Sequence, residues 1–217
     1  MEKMSEAELR DKLGDYLAPK GLYGKTKDMP FLGRVSCNVE EIIAGSWQEI
    51  IIDYELGAAG MADGSWFKAT FRFYSDWELF QTTDPTAANY VSAEYHAGPT
   101  VDGQSPASVQ KLSVRFDQKG HERPFQKAVI VDTYDGYLKA GDHIIVRLGD
   151  RRFGGPGTRV QTFVEENFKF RCYADPLGTS RFAAVDPDLV IQIKPGMPAQ
   201  AIIFLNQDQP PPAEEGA

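Results

Sequence analysis

From Gly33 onward the chain sorts its side chains by twos. Phe67, Ala69, Phe71 and Phe73 alternate with Lys68, Thr70 and Arg72, which places four apolar residues on one face of a pleated strand. Leu112, Val114 and Phe116 alternate with Lys111, Ser113 and Arg115. Phe168, Phe170 and Cys172 alternate with Lys169, Arg171 and Tyr173, and Leu189, Ile191 and Ile193 repeat the pattern near the end. Three runs, Ile50–Ile52, Ala128–Val131 and Ile144–Val146, are continuously apolar and predict central strands covered on both faces.

Turn chemistry separates these segments. Ala62-Asp63-Gly64, Asp135-Gly136, Ala140-Gly141-Asp142 and Gly154-Gly155-Pro156-Gly157 are rich in residues that accept positive φ or a fixed bend. The stretch 153–182 organises the whole: a glycine-rich bend, a long alternating strand, then a Pro-Leu-Gly turn. No βαβ alternation and no internal repeat occurs, so the prediction is an all-β fold, a two-sheet antiparallel β-sandwich. A short N-terminal helix over residues 5–17 precedes it. Ser5 with Glu8 has capping-box spacing, and Leu9, Leu13 and Leu17 form one narrow stripe. The expected organisation is an N-terminal helix and extended arm (1–30), the sandwich (31–206) and a disordered, acidic, proline-rich tail (207–217).

Composition narrows the function classes. A net charge of −8 argues against a nucleic-acid partner, which needs a concentrated basic face. The densest basic run, Arg147 to Arg159, reads as a phosphate or carboxylate patch or as a solvated rim. The 2 cysteines, Cys37 and Cys172, each sit in strand-like alternation, which predicts two buried thiols in a reducing compartment. The start MEKMSEAELRDKL is too polar for a signal peptide, and no run approaches the roughly 18 apolar residues of a membrane span. The expectation is a cytoplasmic protein with no membrane partner.

Over residues 45–198 the order of motifs resembles a known group. It runs Gly45-Ser46-Trp47, DGSWFKATFRFYSDW, Asp84-Pro85 and Asn89-Tyr90-Val91. It continues with Gly120-His121-Glu122-Arg123-Pro124, LKAGDHIIVRLGDR, GGPGTRVQTF and Asp175-Pro176-Leu177-Gly178-Thr179. The series is similar to the N-terminal β-sandwich domain of a group of uncharacterised bacterial proteins. Longer members add a metallohydrolase-like domain of the polymerase-and-histidinol-phosphatase type. That domain needs a His-x-His pair to begin its metal cluster. Here the histidines are His96, His121 and His143, with no two close in sequence. The resemblance therefore implies a sandwich without the catalytic domain, and no metal chemistry carries over.

Candidate chemistry comes from loops and strand starts. His121, in a turn, is a candidate general acid–base group; His143 reads as a strand-edge side chain. If a strand begins near Arg159, then Arg159, Gln161 and Phe163 share a face, on which an Arg fork and a Gln can hold a carboxylate. The alternative is a buried Arg–Glu or Arg–Asp pair that ties the Gly-rich bend to a neighbouring strand. In the loop after Ser75, Trp77 and Phe80 either cap an apolar pocket, with Asp76 or Glu78 as base, or cover an open sheet edge. GGPGTR lacks the following helix of a phosphate loop, so a hairpin connection is predicted. The set is thus His121, Arg159, Asp76 and Glu78 as candidate catalytic groups, with Gln161, Trp77, Phe80 and Glu165 lining the ligand site. Neither a metal nor a cofactor is expected.

Two functions fit this set. The first is a non-catalytic binding or assembly module that acts on a small-molecule or protein partner, beside a separate catalytic chain. The second is a small cofactor-free lyase, isomerase or hydrolase for a small organic acid or aromatic compound. A leucine stripe as narrow as that of residues 5–17 also needs a partner surface, either the sheet or a second copy. If it joins two copies, deleting residues 1–24 halves the solution mass in light scattering; an unchanged mass places the helix on its own sheet.

Overall fold

The computed structural model describes residues 30–99, 109 and 111–196, Pro30 by its backbone only. The predicted helix at 5–17 and the tail at 207–217 lie outside the described residues. Among the described residues a 3-10 turn, Pro30–Leu32, leads into twelve strands. They are β1 (Gly33–Cys37), β2 (Glu41–Ile43), β3 (Trp47–Gln48), β4 (Ile50–Leu56), β5 (Trp66–Phe71) and β6 (Val91–His96). Then follow β7 (Lys111–Asp117), β8 (Lys127–Tyr134), β9 (His143–Leu148), β10 (Thr158–Arg159), β11 (Glu165–Asp175) and β12 (Ala183–Lys194). Among the described residues no helix is long and apolar enough to cross a membrane.

The strands form an all-β sandwich. A four-stranded sheet of order β1-β4-β9-β6 faces a six-stranded sheet of order β2-β12-β11-β5-β8-β7, and β10 and β3 make a short ribbon beside them. The pairs are antiparallel except β12 with β2, which run parallel. The inner faces meet in one apolar cluster. Val35, Ile52, Tyr54, Ile144 and Val146 come from the smaller sheet; Phe67, Phe71, Phe168, Phe170 and Ile191 come from the larger. Tyr54 stacks on Phe67 across the layers at 4.7 Å, and its hydroxyl donates to the Leu32 carbonyl at 2.5 Å. The apolar ring thus packs in the core while its polar tip is satisfied. Burial in this setting pushes the phenol pKa upward.

The period-two reading holds wherever one face meets solvent. In β4 buried and half-buried residues alternate strictly, so the run Ile50–Ile52 is covered on one face, and Ile51 turns outward. β8 is buried over six consecutive residues, as its continuous apolar run predicts. β5 departs twice from expectation. Lys68 and Thr70 are as buried as their apolar neighbours, because loops cover the outer face of the larger sheet. The strand also stops at Phe71, so Phe73 leaves the inward series and is 41% exposed. Cys37 and Cys172 are both free thiols, Cys172 buried and Cys37 half-buried.

The glycine-rich segment is not a hairpin connection. β9 leads out at Gly149, and the chain returns as β10 to pair with β3, Arg159 opposite Trp47. Gly157, at φ +105°, is a tight point of that crossing, since a Cβ there would sit 2.4 Å from the Gln48 carbonyl oxygen. Gly64 also has positive φ, +76°, but nothing lies within 4 Å of its would-be Cβ. Gly64→Ala is therefore expected to cost about 1 kcal/mol, and Gly157→Ala about 3 kcal/mol or more. Thermal melts should separate the two variants by several degrees, at roughly 2–4 °C per kcal/mol for a chain of this size. Equal losses would contradict the backbone clash.

Candidate functional site

At the end of the sandwich where β5 stops and β11 begins, two loops lie side by side. The 72–80 loop follows β5, and residues 160–164 join β10 to β11. The loop is fixed by its apolar members. Trp77 and Phe80 are buried at 1% and 5% exposure and belong to the inter-sheet core, so they do not cap an open pocket. Trp77 packs on Phe168 at 5.1 Å and Phe170 at 5.7 Å, while Phe80 meets Phe116 at 5.4 Å. The indole N–H donates to the Thr158 hydroxyl at 2.8 Å, which removes the cost of burying it unpaired.

The polar members hold the two loops together. Gln161 is fully buried and turns away from exposed Arg159, so the face predicted for Arg159, Gln161 and Phe163 does not form. The Ser75 hydroxyl donates to Gln161 Oε1 at 2.7 Å. Gln161 Nε2 donates to the Phe163 carbonyl at 3.1 Å and to Glu165 Oε2 at 3.2 Å. Glu165 also accepts from Arg72 Nη1 at 3.2 Å, which makes Arg72 its cationic partner. Asp76 accepts from the Thr162 amide at 2.9 Å and from the Thr162 hydroxyl. Desolvation works to raise the Asp76 pKa, but these two bonds outweigh it and hold the carboxyl below its usual range. Glu78 is exposed, and its amide donates to the Arg159 carbonyl at 3.4 Å. The Arg159 amide in turn donates to Asn89 Oδ1 at 3.0 Å.

Above this bonded layer lie three exposed rings, of which the period-two reading put Phe73 on the inner face and Phe163 beside Gln161, and left Tyr74 unremarked. Phe73, Tyr74 and Phe163 are 41%, 46% and 38% exposed. Their centroids follow in series, Phe73 to Tyr74 at 5.7 Å and Tyr74 to Phe163 at 6.4 Å. The Arg123 guanidinium lies 4.8 Å over Phe73, and Arg72 lies 5.6 Å over Tyr74 and bonds its hydroxyl. Neither Arg123 nor Arg159 forms an ion pair among the described residues. The sequence does hold one signal for this surface. Two adjacent aromatics, Phe73-Tyr74, followed by Ser75-Asp76, cannot both face inward on a strand.

His121 is elsewhere. It belongs to the loop between β7 and β8, which folds over the outer face of the six-stranded sheet. It is 7% exposed, with its ring 4.1 Å from that of Tyr173. Lys68 lies in the same cover; its ammonium donates to the Gly120 carbonyl at 2.9 Å and sits 3.7 Å over the Phe182 ring. Burial, then the positive charges of Lys68 and Arg171, push the His121 pKa down to about 3. An imidazole so tuned stays neutral near pH 7 and is a poor proton acceptor. Three clefts lined by described residues, of about 420, 310 and 260 Å³, lie beside β6 and β7 or at the start of β1. None is lined by a residue of the predicted set.

Except for Arg159, the basic run is engaged internally. Arg147 pairs with Glu94 and Glu49, and Arg152 with Asp150 and Glu94. Arg151 donates to the Trp47 and Pro156 carbonyls. This leaves a braced crossing rather than an anion patch. Among the described residues no group of three or more His, Cys, Asp or Glu is placed to hold a metal ion.

No family model matches the chain, and no curated protein matches it. Among solved structures it is similar to the CBM3a-L domain with flanking linkers from scaffoldin cipA of the Clostridium thermocellum cellulosome. The identity is 11%, the overlap covers 76% of this chain and 98% of that one, and the TM-score is 0.40. A likeness of that extent carries no argument about ligand or activity.

His121 supplies a pH test. Its folded pKa lies below the unfolded value near 6.5, so only the unfolded state gains a proton as pH falls between them. Stability is thus full above about pH 6.5 and is lost progressively toward pH 3. From pH 6.5 to 5 this one group should account for about 2 kcal/mol. His121→Phe should flatten that part of the curve in urea titrations at fixed pH. An unchanged slope would show that His121 titrates normally in the fold.

Proposed function

We propose that this chain is a non-catalytic binding module whose docking surface is the Phe73–Tyr74–Phe163 platform. The reading is carried by one observation: three exposed rings lie in series over a polar layer whose groups are already bonded to one another. Such rings bring large contact area at little entropic cost, since the bonds beneath them have already fixed their loops. Phe, Tyr and Arg are also enriched at protein–protein interfaces, Tyr and Arg at their hot spots.

Charge selects the partner's chemistry. Arg123 lies against Phe73, and Arg159 is exposed on the neighbouring loop. With no carboxylate of their own, these cations fit a polypeptide segment that carries Asp or Glu beside apolar or aromatic side chains. Asp76 and Glu165 remain props for the loops, since their oxygens accept from Thr162, Arg72 and Gln161. A separately encoded catalytic chain is the kind of partner that a sandwich of this size would position. That role matches the resemblance to a domain joined to a hydrolase in longer proteins.

Selection of a random-peptide display library against the full chain tests the reading. The expected winners are enriched in acidic and aromatic residues, and bind more weakly as salt is raised. Phe73→Ala and Tyr74→Ala should each weaken a selected peptide about tenfold or more, and Arg123→Ala should weaken it and flatten the salt dependence. Tyr134→Ala removes a ring that is 52% exposed at the far end of β8, and should change nothing. Failure to enrich any sequence, or equal losses from Tyr134→Ala, would overturn the platform.

A further inference from the structure

The outer face of the four-stranded sheet brings together the two histidines that lie outside the core. Strand register sets Arg34 opposite Glu55, Glu55 opposite His143, and His143 opposite His96, one row across all four strands. Directly opposed side chains on antiparallel strands share a face, with Cβ atoms about 5 Å apart. The adjacent row runs Asp53, Ile145, Glu94. Each imidazole touches a carboxylate of that row. His143 Nδ1 lies 2.7 Å from Asp53 Oδ1, and His96 Nε2 lies 3.4 Å from Glu94 Oε1.

We propose that His96 and His143 together chelate a divalent cation of borderline softness, of the Zn²⁺, Ni²⁺ or Cu²⁺ class, as a two-imidazole site completed by water. Imidazole nitrogen selects these ions over Mg²⁺ and Ca²⁺, which require a cage of oxygens. The Asp53 contact fixes the His143 ring and leaves Nε2 as its ligand atom, the arrangement by which a carboxylate orients a metal-bound histidine. The His96 side chain is 56% exposed, so it can turn toward its neighbour without disturbing the core. Glu94 is engaged by Arg147 and Arg152, and Glu55 by Arg34. These carboxylates are thus occupied by cationic side chains, in keeping with two protein ligands rather than three.

The chain has only 3 histidines, which makes the test clean, because His121 is buried in the other sheet's cover. Chelator-stripped full-length protein is titrated with Zn²⁺, followed by calorimetry and by the ring resonances of isotope-labelled histidine. The expected result is one ion per chain, with the His96 and His143 signals moving together and those of His121 unmoved. His96→Ala and His143→Ala should each abolish binding, and Asp53→Asn should weaken it about tenfold or more. All three positions are partly exposed, so circular dichroism should report an intact fold. If each single histidine variant merely halves the stoichiometry, the rings bind independently and the chelate is refuted. Equal binding by wild type and both histidine variants also refutes it.

Discussion

The burial of Trp77 is the constraint on which the candidate site depends. A loop residue has entered the inter-sheet core, where it packs against Phe71, Phe168 and Phe170 and donates its one polar hydrogen to Thr158. Burying a side chain of that area contributes several kcal/mol, enough to order the residues on each side. Asp76 and Glu78 are then left outward, and the Ser75 hydroxyl lies under the loop, where it accepts from the Trp77 amide and donates to Gln161. The chain before the anchor has one course left: from the end of β5 it must turn over the edge of the sheet, and that turn holds Phe73 and Tyr74 in solvent.

The two outer faces of the sandwich treat their charges differently. On the larger sheet, loops cover the strands, and beside the ion pairs Arg115–Asp132 and Arg171–Asp188 two covered groups are shifted toward neutrality. His121 is held neutral, and Lys68 has its pKa lowered to about 8, chiefly by desolvation and then by Arg115. On the smaller sheet the face stays open and charges are paired in rows, Arg34 with Glu55 and Arg147 with Glu94. Exposed pairs of this kind contribute little to stability. They set instead which groups remain available, and there the two imidazoles stand opposite one another.

How much of this was legible in the sequence depends on how far the deciding contact lies along the chain. The sandwich itself was, because Phe168, Phe170 and Cys172 must share a side whatever else surrounds them, and one wet face imposes the period. The same logic misplaced Lys68 and Thr70, since alternation assigns them to solvent and only the return of residues 118–126 and 176–182 covers them. Trp77 and Phe80 were legible as important and not as core, because the cavity that receives them is built by β7 and β11, far along the chain. The pairing of His96 with His143 is a fact of register between strands about fifty residues apart, and no spacing within one chain segment encodes it. Only Phe73-Tyr74 left a local trace, as an interruption of the alternation.

On the proposed reading, what separates a docking surface from a catalytic one is the state of its polar groups. A catalytic acid or base must keep a lone pair or proton free, within reach of a substrate held in a concavity. At the end of this sandwich both Asp76 oxygens accept from Thr162, and Glu165 divides its oxygens between Arg72 and Gln161. The neighbouring loop adds its amides to the same lattice. Groups so fully engaged act as structure, and the surface they raise is left with rings and guanidinium planes. On the proposed reading that division is the design: hydrogen bonds are used underneath to hold the loops still, and the aromatic faces are left for the partner.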